Sequence, residues 1–195
     1  MKLRGLYAVT PESVNVVGQV ELALQGGIAL LQYRSKKRDL AEAREIVRLA
    51  HQHGVRVIVN DDLELSLEAG ADGAHLGRDD GDLRIARRRL GGKILGASCY
   101  NEIALAEAAV RHGADYVAFG SVFASTTKPQ AAPAPLSLFA KSKSLGVPLA
   151  AIGGITLHNA PVAIDAGADL LAVISDLFGA PDIRLRARQY GKLFG

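Results

Sequence analysis

Short apolar runs rich in β-branched residues alternate along the chain with longer segments whose apolar residues recur at helical spacing. The runs are "LYAV" (6–9), "ALLQY" (29–33), "VRVIVN" (55–60), "GAHLG" (73–77), "KILGAS" (93–98), "YVAFG" (116–120), "PLAAIGG" (148–154) and "LLAVIS" (170–175). Their length and composition predict eight strands. Between them, segments such as "LAEAREIVRLAHQHG", "NEIALAEAAVRHGA" and "LHNAPVAIDAGA" place Leu, Ala and Ile on one helical face and carry Gly at the end, the pattern of amphipathic helices with glycine stops.

Two architectures use such alternation, an open doubly wound sheet and a closed (βα)8 barrel. Three features favour the barrel. The count of strand and helix pairs is eight. A helix-to-strand joint repeats as "LEAGADGAHLG", "VRHGADYVAFG" and "IDAGADLLAVIS". The first strand is followed by no GxGxxG, and no GxxxxGK[ST] occurs, so the usual nucleotide loops are missing. The expectation is one α/β TIM-barrel domain over residues 1–195, just under the ordinary size of that fold.

Composition narrows the setting. Charged residues make up 22% of the chain and the apolar runs are short, so no membrane span of roughly 18 apolar residues is expected. The apolar run after Met1-Lys2 is too short for a signal peptide. The lone Cys99 excludes an internal disulfide and fits a reducing cytoplasm. A net charge of +3 is mild, the densest basic stretch, "RIARRRLGGK", reads as a solvated helix end, and Trp is absent. No nucleic-acid partner is expected, whereas small anionic substrates are.

In a barrel of this kind the chemistry gathers where strands run into their C-terminal loops. Strand 2 ends with Gln32, Arg34 and Lys36 at alternate positions, which on a strand share one face. An amide and two cations aimed at one volume call for an anion. Strand 3 ends in Asn60-Asp61-Asp62, and Asp79-Asp80 follow strand 4. Carboxylates at two adjacent strand mouths, with phosphate oxygens and water, suit Mg²⁺. One acid of each pair, Asp62 and Asp79, is assigned to capping the helix that follows.

Ser98 ends strand 5 as a hydrogen-bonding group, while Cys99 beside it reads as a small buried side chain. Strand 6 leads into Ser121, Ser125, Thr126, Thr127 and Lys128, hydroxyls and a cation suited to oxyanions, within a long proline-rich loop. Gly153-Gly154 after strand 7 and Ser175 after strand 8, opening the last helix, mark the phosphate site common to many barrels. His51, His53, His112 and His158 read as solvated, and His75 as a packed strand histidine. Two anion sites, one of them served by metal and lysines, imply a diphosphate and a reaction in which diphosphate leaves carbon.

The series "LYAVT", "QYRSK", "VNDD", "HLGRDD", "GAS", "FGSVFASTTK", "AIGGI" and "AVIS", in this order over nearly the whole chain, closely resembles the thiamine-phosphate synthase family. That resemblance implies a barrel that condenses 4-amino-2-methyl-5-(diphosphooxymethyl)pyrimidine with a thiazole phosphate, giving thiamine phosphate and diphosphate. It implies that Gln32, Arg34, Lys36 and Asn60 bind the pyrimidine diphosphate, with Ser98 and Lys128. Asp61 and Asp80 become the Mg²⁺ ligands. Ser125, Thr127, Gly154, Ile174 and Ser175 hold the thiazole phosphate, and Arg34, Lys36 and Lys128 stabilise the leaving charge. Ser121 stands where the family has Pro, Ser125 where it has Thr, and Arg78 where Gln is common. The related thiazole tautomerase branch has a His two residues after the strand-5 Ser, where this chain has Tyr100. A binding or regulatory barrel without turnover is the rival from another class.

Overall fold

The computed structural model describes residues 3–124 and 133–195. The elements are β1 (Gly5–Val9), α1 (Val16–Gln25), β2 (Leu30–Tyr33), α2 (Leu40–Gln52), β3 (Val57–Asn60), α3 (Leu63–Glu68), β4 (Gly73–Leu76), α4 (Leu83–Leu90), β5 (Ile94–Tyr100) and α5 (Ile103–Arg111). They continue with β6 (Tyr116–Gly120), α6 (Ser137–Ser142), β7 (Leu149–Ile152), α7 (Ala160–Asp165), β8 (Leu170–Val173), α8 (Ser175–Phe178) and α9 (Ile183–Gly191). The eight strands pair in parallel, each with the next, and β8 returns to β1 to close the barrel. The predicted (βα)8 architecture is the one observed.

Closure divides each strand's side chains by their twofold alternation. Leu6, Leu31, Val57 and Val59 point outward and pack under the helices, whereas Tyr7, Leu30, Ile58, Tyr116 and Leu170 point inward and fill the barrel. The inner filling needs one small position: a β-carbon on Gly96 would overlap the Tyr116 ring.

The repeated Gly-Ala-Asp has a structural role. Asp72, Asp115 and Asp169 each stand just before a strand, at the barrel's N-terminal end. Their carboxylates accept hydrogen bonds from the first residues of the neighbouring strand, Val57 N at 2.8 Å, Leu95 N at 2.8 Å and Leu149 N at 3.1 Å. Their own N–H groups donate to the carbonyls of the same three residues. Each Asp therefore locks the register at the bottom of a strand pair.

Three expectations are corrected. Strand β2 ends at Tyr33, so the alternation of Gln32, Arg34 and Lys36 does not extend along one strand. The α4 cap is Asp82, which accepts from Arg84 N at 2.7 Å, and not Asp79, because the loop runs three residues further before the helix starts. Ser175 opens only the single turn of α8, and the last α-helix is α9.

Candidate active site

At the end of β3 the three polar residues separate. Asn60 completes the strand, pairs in register with His75, and donates Nδ2–H to Asp61 Oδ2 at 2.6 Å. Asp61 turns the chain with a left-handed φ of 61°, a conformation that Asp and Asn accept more readily than other side chains. Asp62 caps α3, accepting from Leu65 N at 2.8 Å.

The turn sets Asp61 in the same cleft as Asp80. Loss of water at the mouth, and then the Asp80 carboxylate, push the Asp61 carboxyl up to about 6, while Asn60 and the nearby Arg34 pull the other way. Asp80 is fixed by its acceptance of a hydrogen bond from Gly77 N at 2.7 Å. Two neighbouring carboxylates are hard oxygen donors of the kind that could hold a divalent cation. Among the described residues, no group of three or more His, Cys, Asp or Glu gathers. Two carboxylates would leave the rest of such a cation's positions to water and phosphate oxygens, the arrangement that Mg²⁺ commonly takes.

Lys36, Asn60, Asp61 and Asp80 line one cleft of about 540 Å³. Lys36 lies in the loop after β2, and its N–H donates to Glu12 Oε1 at 2.8 Å. Arg34 is held through its backbone: its N–H donates to Thr10 Oγ1 and its carbonyl accepts from the same hydroxyl, each at 2.8 Å. Gln32 alone of the three is a strand residue, buried inside the barrel.

Inside the barrel the structure adds residues that sequence reasoning missed. Gln32 Nε2 donates to Tyr7 Oη at 2.6 Å, Tyr7 Oη lies 2.6 Å from Tyr116 Oη, and His75 bridges Tyr116 Oη and Ser98 Oγ at 2.8 Å each through Nδ1 and Nε2. His75 is packed, as expected, and burial lowers it to about 4, so it is neutral near pH 7. Burial raises both phenols above their ordinary values. The available signal was the strand phase: Tyr7, Gln32, His75, Ser98 and Tyr116 all fall on inward positions. Cys99, on the outward phase, is buried, and burial raises its thiol to about 12.

On the opposite side of the mouth, Ser121 occupies a loop pinned to β7. Val122 N donates to the Ile152 carbonyl, Phe123 N to that of Gly153, and Ser121 Oγ to that of Phe123. A β-carbon on Gly154, whose φ is 61°, would overlap the Ala124 carbonyl oxygen. The glycine is needed for this close approach of loops. Ile174 leads directly into α8, and exposed Ser175 begins it. Ser125, Thr126, Thr127 and Lys128 lie outside the described residues. Tyr100, at the tautomerase His position, has its hydroxyl 3.3 Å from Arg78 N, and the Arg78 guanidinium lies over its ring and pairs with Glu102.

A closed barrel with its polar side chains at the C-terminal mouth, a carboxylate pair among cations and a one-turn helix after β8 defines the class of (βα)8 enzymes that work on phosphorylated small molecules. The family model described as thiamine monophosphate synthase matches residues 6–177. The thiamine-phosphate synthase of Aromatoleum aromaticum is 59% identical, with 99% of this chain and 97% of that protein aligned. That of Chromobacterium violaceum is 52% identical, with 100% and 98% aligned. The solved thiamine phosphate pyrophosphorylase from Pyrococcus furiosus superposes with a TM-score of 0.90 at 32% identity, covering 99% of this chain and 96% of that one. The chain belongs to the thiamine monophosphate synthase family, and with it to the transferases of thiamine biosynthesis.

Proposed function

We propose that this protein, a single catalytic domain over residues 1–195, joins the pyrimidine diphosphate to a thiazole phosphate to give thiamine phosphate and diphosphate, with Mg²⁺ held by Asp61 and Asp80. The observation that carries the reading is the carboxylate pair sharing one cleft with Lys36 and Asn60. In it a diphosphate meets cations on one side and metal-ligating oxygens on the other. Mg²⁺, when bound, supplies positive charge to the departing diphosphate.

Gln32 and Ser98 orient the pyrimidine, and Asn60, Arg34, Lys36 and Lys128 bind its diphosphate. The exocyclic C–O bond breaks, and its electron pair leaves with the diphosphate. The electron-rich aminopyrimidine delocalises the positive charge left on the methylene, and the thiazole nitrogen lone pair then forms the new C–N bond. Ser125, Thr127, Gly154, Ile174 and Ser175 hold the thiazole phosphate so that this nitrogen faces the methylene. Support for that second site comes from the free N–H groups that open any helix, here α8 after β8. No protein nucleophile takes part, which agrees with the buried Cys99. Positioning and electrostatics do the work, each well-placed donor contributing about 2.7–4 kcal/mol by analogy with oxyanion donors. The substrates are small molecules, and the single cysteine suits a reducing cytoplasm.

The test is direct. Both substrates are incubated with wild type and with Asp61→Ala, with and without Mg²⁺, and thiamine phosphate and diphosphate are measured. Equal amounts of both products are expected from the wild type with Mg²⁺, and little from the variant or after chelation. A wild type that makes neither product removes the synthase reading, and a fully active Asp61→Ala removes the metal assignment.

A further inference from the structure

The chain of hydrogen bonds across the barrel from Gln32 to Ser98 is not used by the mechanism above. It has four links, and the members that carry a movable hydrogen are Tyr7, Tyr116, neutral His75 and Ser98. Each has one such hydrogen, and a buried hydrogen left without an acceptor is costly; among the described residues Tyr7 Oη has only Gln32 and Tyr116 as partners, so satisfying every hydrogen makes the links run one way. Gln32 presents Nε2, a donor, to Tyr7. The Tyr7 hydrogen must then go to Tyr116, that of Tyr116 to His75 Nδ1, and that of His75 Nε2 to Ser98 Oγ. Gln32 keeps Oε1 as an acceptor, and Ser98 keeps its hydrogen as a donor. Reversing the amide would reverse every link and exchange these two roles.

We infer that Tyr116 is a positioning residue that sets the polarity with which Gln32 and Ser98 read the substrate's heterocycle, selecting a 4-aminopyrimidine over a pyrimidinone. A 4-aminopyrimidine carries an amino N–H donor beside a ring nitrogen acceptor. That pair complements an acceptor at Gln32 and a donor at Ser98, whereas a 4-pyrimidinone with N3–H presents the reverse. Tyr116 is the only member in contact with both halves, touching Tyr7 on one side and His75 on the other. It is fully buried, stacks edge-on to Tyr7 at 5.8 Å between ring centres, and has its place kept by Gly96. The inference rests on the reading above that Gln32 and Ser98 face the pyrimidine.

Two measurements test it. Nitrogen-15 NMR of the histidine rings, with His75 assigned from a His75→Gln spectrum, reads the tautomer without any substrate. The wild type is expected to show His75 as the Nε2–H form, and Tyr116→Phe to show a mixture. The dissociation constant of the pyrimidine diphosphate, by calorimetry, is expected to rise about tenfold in Tyr116→Phe. Adding Ser98→Ala to it is expected to raise the constant by less than the product of the two single losses, because both changes act through one chain. A wild-type Nδ1–H tautomer, an unchanged affinity in Tyr116→Phe, or losses that multiply in the double variant would each overturn the proposal, the last because a merely structural role gives independent effects. Should Tyr116→Phe fail to fold, Tyr7→Phe cuts the preceding link and is expected to give the same tautomer mixture; a pure Nε2–H form there overturns the proposal. A wild type that binds the pyrimidine diphosphate but makes no thiamine phosphate removes the synthase reading while the tautomer result still decides this one.

Discussion

Asp61 sits in a left-handed turn, beside a second carboxylate, with its own carboxyl raised to about 6. A folded-state value above the unfolded one means that the protonated form is favoured by folding. The stabilisation is present in full below the ordinary 3.8 and is lost as pH rises through about 6. Metal-free Asp61→Asn, which keeps the turn and removes the charge, is therefore expected to melt above the wild type at pH 8. The difference should shrink as pH falls through about 6 and vanish below about 3.8, as scanning calorimetry in chelator can show, and a variant melting at or below the wild type at pH 8 sinks the argument. His75 has the opposite sign. Lowered from 6.5 to about 4, it contributes stability that is present above 6.5 and is lost as pH falls towards 4, on the order of 3 kcal/mol by the conversion of pKa shifts to free energy. That acid-side loss should be missing from His75→Gln, measured by urea denaturation across pH 4–7. Asn60, Asp61 and Asp80 were legible in the sequence because strand ends in a barrel mark its mouth. The Tyr7–Tyr116 contact was not, since it joins residues 109 apart that only closure brings together.

Element boundaries decide which of two adjacent acids caps a helix. The strand pattern predicted Asn60 as the last β3 residue and Asp62 as the α3 cap, and both are observed. It gave the wrong cap for α4, because two acids in a turn-rich stretch compete and only loop length, which tertiary packing sets, selects Asp82. It also ended β5 at Ser98, whereas the strand runs to Tyr100 through an irregular register opposite β6. Asp62→Ala removes the bond to Leu65 N and leaves Asp61 in place. The expected loss is about 1 kcal/mol of unfolding free energy, read from denaturant midpoints, with the Mg²⁺ dependence of turnover unchanged. A shift in that dependence would put Asp62 in the metal site and end the division of labour argued for this turn.

Across the whole molecule, the barrel separates what holds it together from what it does. The Gly-Ala-Asp repeat was legible as a recurring joint, but its purpose was not, because the groups each Asp contacts belong to a neighbouring strand. At the bottom of the barrel, Asp72 pairs with the N–H of buried Val57 and also with His51 at the end of α2, while Asp169 pairs with that of Leu149. Replacing either by Ala leaves a buried N–H without its acceptor, which costs about 1–3 kcal/mol. Asn retains a carbonyl oxygen in the same place, so Asp72→Asn and Asp169→Asn should recover most of that loss. The two positions serve different strand pairs, β3 with β4 and β7 with β8, and share no partner, so the double Ala variant should lose the sum of the single losses. Turnover and substrate affinity should hold in every variant that remains folded, since all of the proposed chemistry lies at the other end of the strands. Denaturant unfolding and steady-state kinetics on the same preparations check both halves. A bottom-face variant with normal stability and impaired catalysis would show that the two ends of this barrel are coupled.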